Sequence, residues 1–295
     1  MGHLLNIGGV RLAIYCPKGI DLLLRDPSYR DFFYNELPGD VGTAEICIDI
    51  SFGRAHNIEN LRACFDTGQS WSLFRDGDNY LFTFQREGSG EPYMTARASN
   101  DISQVELFCS NDFINDQGEA ENPVCYPLDQ ILLMHYLILN KGLIAHSAGM
   151  SFNGNGYLFP GCSGAGKSTI SKSLAFSDKV MLMSDDRIIA RKESDTFLIY
   201  GTPWPGEAGT AVNKSAPLKG VFFLEKGGEN NIQPINEAEA LKRFFSVLSV
   251  PWYDRDSISG ALSLVSELVS EVPAYLLHFK PGKEVVDIFE KFITA

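Results

Sequence analysis

The sequence predicts an α/β domain with a mixed sheet over residues 123–295, preceded by a mainly antiparallel β domain, of α+β character, over residues 1–122. Three observations predict it. From residue 9 to 111 the chain is a succession of short alternating or β-branched and aromatic runs broken by turn residues. Beyond 123 apolar strands alternate with helix-forming stretches, and the close spacing of strands between 180 and 225 marks that sheet as mixed. Between a strand and a helix of the second half lies a glycine-rich octet. A length of 295 residues accommodates two domains.

In the first half the strand runs are GVRLAIYC, EICIDISF, WSLFR, YLFTFQ, PYMTARA and VELFC. The segment WSLFR–DGDN–YLFTFQ reads as a hairpin, its turn residues falling between two alternating runs. The stretch 21–36, DLLLRDPSYRDFFYNE, suggests the one helix of this half, limited by Pro27. Residues 112–123, NDFINDQGEAEN, read as a linker or long loop.

The second half opens at Pro127, which suits the first turn of a helix. The following LDQILLMHYLILNKG is too apolar for a surface helix and is expected buried at the domain junction, with Gly142 as its stop. Then come the strands LIAHSAGMSF and GYLFP, the glycine-rich loop, and a helix from about 167 to 176. The strands VMLMS, TFLIY and GVFFLE, the helices EAEALKRFFSVL and SGALSLVSELV, the strand PAYLLHF and the helix EVVDIFEKF complete the chain.

Composition narrows the function classes. A formal charge of −12 argues against nucleic-acid binding, which calls for a basic face. The acidity is concentrated: residues 1–126 hold 9 Lys+Arg against 19 Asp+Glu. The start MGHLLNIGGVRLAIYC lacks a basic n-region, and the most apolar run, ILLMHYLIL, is far shorter than the roughly 20 residues that span a bilayer. Six cysteines stand singly, without a C-x-x-C pair or nearby histidines, so no zinc site or dense disulfide framework is expected. These features lead us to expect a soluble cytoplasmic protein with reduced thiols and neither a membrane nor a nucleic-acid partner.

The octet Gly161-Cys162-Ser163-Gly164-Ala165-Gly166-Lys167-Ser168, followed by Thr169, satisfies G-x-x-x-x-G-K-[ST] in the strand-loop-helix setting that the pattern requires. Without β-carbons, Gly161, Gly164 and Gly166 let the backbone aim several N–H groups into one concavity that suits phosphate oxygens. The helix beginning near Lys167 adds the positive end of its dipole. In that setting Lys167 bridges β- and γ-phosphates and the Ser168 hydroxyl ligates Mg²⁺. The strand VMLMS ends in Asp185 and Asp186 at the carboxyl edge of the sheet. One can act on Mg²⁺ and the other can take a proton from an attacking hydroxyl. The bland alternative is a strand-end turn in which Asp186 pairs with Arg187. His146, in LIAHSAGM, is either a satisfied core residue or a functional one, while His3, His56, His135 and His278 are read as structural. Glu207, in GTPWPGEAG, sits in a shaped loop that either closes over a ligand or is simply rigid. Lys214 is read as exposed.

With these residues in view, residues 140–225 resemble the catalytic domain of the HPr kinase/phosphorylase family, P-loop serine kinases whose fold is related to phosphoenolpyruvate carboxykinase. The resemblance rests on His146 ahead of the loop, the loop GCSGAGKS, and the run SDDR. It implies an α/β P-loop kinase domain in which Lys167 binds phosphate, Ser168 binds Mg²⁺, Asp186 accepts the proton and His146 stands beside it. It also implies Glu207 as a metal-binding carboxylate, beside Asp185 as the strand-end acid read above for Mg²⁺, and a tendency to form homo-oligomers. Thr169 follows Ser168 where the HPr-specific enzymes carry an acidic residue, and GTPWPGEAG differs from their signature in that segment. The resemblance is therefore to the broader HPr kinase-like group, some of whose members phosphorylate serine on other acceptors.

The expected function is an ATP- and Mg²⁺-dependent kinase transferring the γ-phosphoryl group to a serine-type hydroxyl of a protein or peptide. The alternatives are a kinase acting on free serine or another small hydroxyl acceptor, and a nucleotide-binding regulatory module that does not turn its nucleotide over.

Overall fold

The computed structural model describes residues 2–294 except 36–43, 54–55, 57, 59–60, 87 and 89–90. The chain divides into two compact units, residues 1–136 and 137–295. In the first unit the strands are β1 (Gly2–Ile7), β2 (Val10–Tyr15), β3 (Asp21–Leu23), β4 (Phe33–Tyr34), β5 (Ile46–Phe52), β6 (Ala63–Asp66), β7 (Trp71–Asp76), β8 (Asn79–Gln85), β9 (Pro92–Ala98), β10 (Gln104–Cys109) and β11 (Glu119–Glu121). Nine of them form one sheet in the order β4-β1-β2-β5-β10-β9-β8-β7-β6. Pairing is antiparallel except where β5 lies parallel to β2 and β10. The WSLFR and YLFTFQ runs form the expected hairpin, closing with Asp76 opposite Asn79. Helix α1 (Leu128–Leu139) begins in this unit. It buries Leu128, Ile131, Leu132 and Leu133, and sets His135 against the rings of Tyr80 and Phe82 at 4.8 and 5.5 Å.

The second unit contains β12 (Gly142–Phe152), β13 (Asn155–Pro160), α2 (Lys167–Leu174), β14 (Val180–Ser184), β15 (Arg187–Glu193), β16 (Thr196–Tyr200), β17 (Ser215–Lys226), β18 (Asn231–Pro234), α3 (Glu237–Phe245), β19 (Leu248–Ser249), α4 (Arg255–Glu271), β20 (Ala274–Phe279) and α5 (Lys283–Thr294). Two long strands do double service. Gly142–His146 of β12 pair with β15, whereas Ser147–Phe152 pair with β13. Ser215–Pro217 of β17 pair with β16, and the strand then runs parallel to β13 and β20. The result is a mixed sheet in an α/β unit, with helices on both faces. The period of two along β13 separates the cores: Leu158 packs with Ala240, Phe244 and Leu268 of α3 and α4. Its neighbours Tyr157 and Phe159 pack with Ile170, Leu174 and Phe289 of α2 and α5.

Two expectations for the first unit are corrected. Of the expected helix over 21–36, whose last residue lies outside the described ones, residues 21–35 do not form a helix: β3 is followed by a 3₁₀ turn, Pro27–Tyr29, whose Ser28 N–H donates to Asp26 at 2.9 Å. Tyr29, Phe32 and Phe33 are drawn into the core and Phe33–Tyr34 pair with β1, so tertiary burial outweighs the helical spacing of the apolar residues. Residues 112–123 are not a bare linker. Glu119–Glu121 form β11 parallel to β3, Ala120 is fully buried, and the Asn115 side chain accepts from the N–H groups of Gln117 and Glu119. The division between units accordingly falls within α1, past the expected boundary at 122/123.

Candidate functional site

Strand β12 is the organiser. Both β13 and β14 pair antiparallel with it, so they run in one direction and end at one edge, with Pro160 opposite Ser147 and Ser184 opposite Gly149. Residues that leave those strands are thereby neighbours. The Gly161 N–H donates to the His146 carbonyl at 3.2 Å, and the Ser147 N–H donates to the Asp186 carbonyl at 3.0 Å. Three segments separated by up to 40 residues are stitched together through the two ends of one peptide group, that between His146 and Ser147.

Residues 161–166 form the turn between β13 and α2. Helices α3 and α4 begin on side-chain caps, Asn236 and Asp254, but α2 begins on Gly166 at φ 107, with no side chain to satisfy its first N–H groups. A β-carbon on Gly166 would lie 2.6 Å from the Phe279 ring, so both backbone angle and space require glycine. Lys167 folds back over the loop, its Nζ donating to the carbonyls of Gly161 at 2.8 Å and Cys162 at 3.3 Å. Burial holds its ammonium below the ordinary lysine range, with the nearby Asp186 charge opposing that shift.

The two aspartates differ. Asp185, only 2% exposed, accepts from the Gly206 N–H at 2.9 Å and the Ala208 N–H at 2.7 Å, one bond to each carboxylate oxygen. It thus holds the 201–212 segment against the end of β14, where a β-carbon on Gly206 would approach the carboxylate to 2.9 Å. The Asp186 carboxylate sits between an imidazole and a guanidinium: His146 Nε2 lies 2.6 Å from Oδ1, and Arg187 Nη1 donates to Oδ2 at 2.6 Å. Burial alone would raise its pKa. The His146 hydrogen bond and the charges of Arg187, His146 and Lys167 outweigh burial and hold the carboxyl below its ordinary range. An ionised carboxylate only accepts, so His146 carries the bonding proton on Nε2. The pairing with Arg187 and the contact with His146 coexist.

These groups line a cleft of about 650 Å³. His146, Lys167, Asp185 and Asp186 share it with Glu207 and with the loop and helix positions Ser163, Gly164, Gly166, Ser168 and Thr169. Gly161, Cys162 and Ala165 belong to the loop without lining the cleft, and Lys214 lies outside it, exposed. Among the described residues no three His, Cys, Asp or Glu side chains are grouped to enclose a metal. The side-chain oxygen donors at the cleft are the hydroxyls of Ser163, Ser168 and Thr169 and the carboxylates of Asp185, Asp186 and Glu207. That set suits a hard ion such as Mg²⁺, which keeps several waters and takes only one or two carboxylates from the protein.

Sequence reasoning missed Lys226, at the carboxyl end of β17, which also lines the cleft. No local motif marks it, because its placement comes from the parallel pairing of β17 with β13, a contact across some 60 residues. Among the described residues no helix is long and apolar enough to cross a membrane. A scan of family models and a search of curated proteins return no match to the chain.

Proposed function

We propose that the second unit is a P-loop kinase of the HPr kinase-like kind, transferring the γ-phosphoryl group of ATP to a serine-type hydroxyl of a protein or peptide. The observation that carries this reading is an ionised carboxylate, Asp186, held by His146 in the same cleft as Lys167 and the helix-start amides of the glycine-rich loop. The loop amides and Lys167 hold the phosphates, Lys167 exchanging its two carbonyl partners for phosphate oxygens. Asp186 orients the acceptor hydroxyl and takes its proton. As the acceptor oxygen bonds to the γ-phosphorus, the bond from that phosphorus to the β–γ bridging oxygen breaks, and the electron pair leaves with ADP. Mg²⁺, held by Ser168 with Asp185 or Glu207, supplies neutralisation of phosphate charge when bound. His146 and Arg187 keep Asp186 in place, and each of its oxygens retains acceptor capacity for the incoming proton.

The test is phosphoryl transfer from γ-labelled ATP into a host-cell extract, followed by identification of the labelled species. Asp186→Asn is expected to keep ATP binding and lose transfer by about 10²- to 10⁴-fold, the usual contribution of a positioned proton acceptor. Lys167→Ala is expected to lose both. Turnover unchanged in Asp186→Asn would remove the assigned mechanism.

A further inference from the structure

We propose that Lys226 is a second phosphate-binding cation of the cleft, contacting the α-phosphate end of the nucleotide and favouring nucleoside di- and triphosphates over bare pyrophosphate. The inference rests on the kinase reading and adds a residue that the glycine-rich motif does not contain. Three observations support it.

The first is position. In the sheet, β12 with its partner β14 lies on one side of β13 and β17 lies on the other. Asp186 and His146 therefore flank the loop from one side, and Lys226 closes the cleft from the opposite side. A phosphate chain whose γ end meets Asp186 and Lys167 presents its α end toward β17.

The second is side-chain direction. Side chains alternate along β17: Phe222 and Leu224 pack in the core with α2 and α5, whereas Phe223 packs with α3 and α4. Glu225 continues the latter set, pairing with Arg243 of α3 at 3.0 Å and lying 3.7 Å from His278. Lys226 falls on the α2 face, the face on which the glycine-rich loop opens into its helix.

The third is availability. Lys167 is engaged with two loop carbonyls, but among the described residues no hydrogen-bond or ion-pair partner engages the Lys226 ammonium, which is exposed at the cleft. A solvated lysine on a strand end, beside two glycines at 227 and 228, reaches phosphate without first breaking an internal pair.

The experiment is titration of the full chain with ATP, ADP and pyrophosphate, each with Mg²⁺, for wild type, Lys226→Gln and Lys226→Arg. Lys226→Gln is expected to weaken ATP and ADP about tenfold and leave pyrophosphate within about twofold, the loss of one charge-assisted contact. Lys226→Arg should retain nucleotide affinity within about threefold. Equal affinities in wild type and Lys226→Gln, or an equal loss for all three ligands, would overturn the assignment while leaving the kinase reading intact. A wild-type chain that binds neither ATP nor pyrophosphate would overturn both.

Discussion

At the scale of the residue, the site turns on how one carboxylate is kept ionised. Asp186 is half-buried, which alone favours its neutral form, yet His146 and Arg187 hold one oxygen each and the balance falls to the charged form. Because the folded pKa is depressed, the ionised group contributes stability that is present above the ordinary carboxylate pKa of about 4 and is lost as pH falls through the folded value. The kinase reading ties activity to the same titration. His146→Ala removes the largest of the influences that lower the Asp186 pKa, so the acid limb of the kcat/KM profile should move up, toward the ordinary carboxylate value. Activity near pH 7 should fall by about ten- to a hundredfold through loss of orientation. An acid limb that stays in place while activity falls would show that His146 does not act through Asp186. His146 and Asp186 were legible in the sequence because each sits next to a strand signal. That Asp185 also serves as an anchor was not, since its amide partners, Gly206 and Ala208, lie on a loop whose path no local pattern specifies.

At the scale of the element, the turn from β13 into α2 is where sequence and structure agree most closely, because its requirements are local. Glycine at 166 answers a positive φ and a neighbour, Phe279, brought by β20. Gly166→Ala therefore meets two obstacles, an unfavourable backbone angle for an L side chain and a β-carbon at 2.6 Å from the ring. We expect it to lower stability in urea by about 1–3 kcal/mol and to weaken ATP binding by more than tenfold. Near-normal ATP binding in this variant would mean that the loop does not cradle phosphate in the geometry seen here. The elements that escaped sequence reading are those defined by partners. β15 reads RIIARKE and shows little alternation, but it is fixed by pairing with β12 and β16. The aromatic cluster around Tyr29 to Phe33 mimics a helical period and is resolved into a short strand and a turn by burial against the sheet.

At the scale of the whole molecule, the sequence conveyed a change of grammar, from short strands to alternating strands and helices, and two compact units do follow one another. The division between the units lies within α1: Leu128, Ile131, Leu132 and Leu133 are buried and counted with the first unit, and Leu137, counted with the second, leaves no room for a β-carbon on Gly142. Every residue of the candidate cleft belongs to the second unit. Ligand binding therefore adds its free energy to the folding of that unit. The three tryptophans make the point measurable, since Trp71 lies in the first unit and Trp204 and Trp252 lie in the second. In Trp71→Phe, tryptophan fluorescence follows the second unit alone, and ATP with Mg²⁺ at a hundred times its Kd should add about 2.7 kcal/mol, a rise of about 5–10 °C in the midpoint. A wild-type transition with an additional Trp71 component that does not move with ATP would place the linkage in the second unit. A Trp71→Phe midpoint indifferent to saturating ATP would contradict nucleotide binding in the cleft, because a ligand that binds the folded unit cannot leave its unfolding equilibrium unchanged.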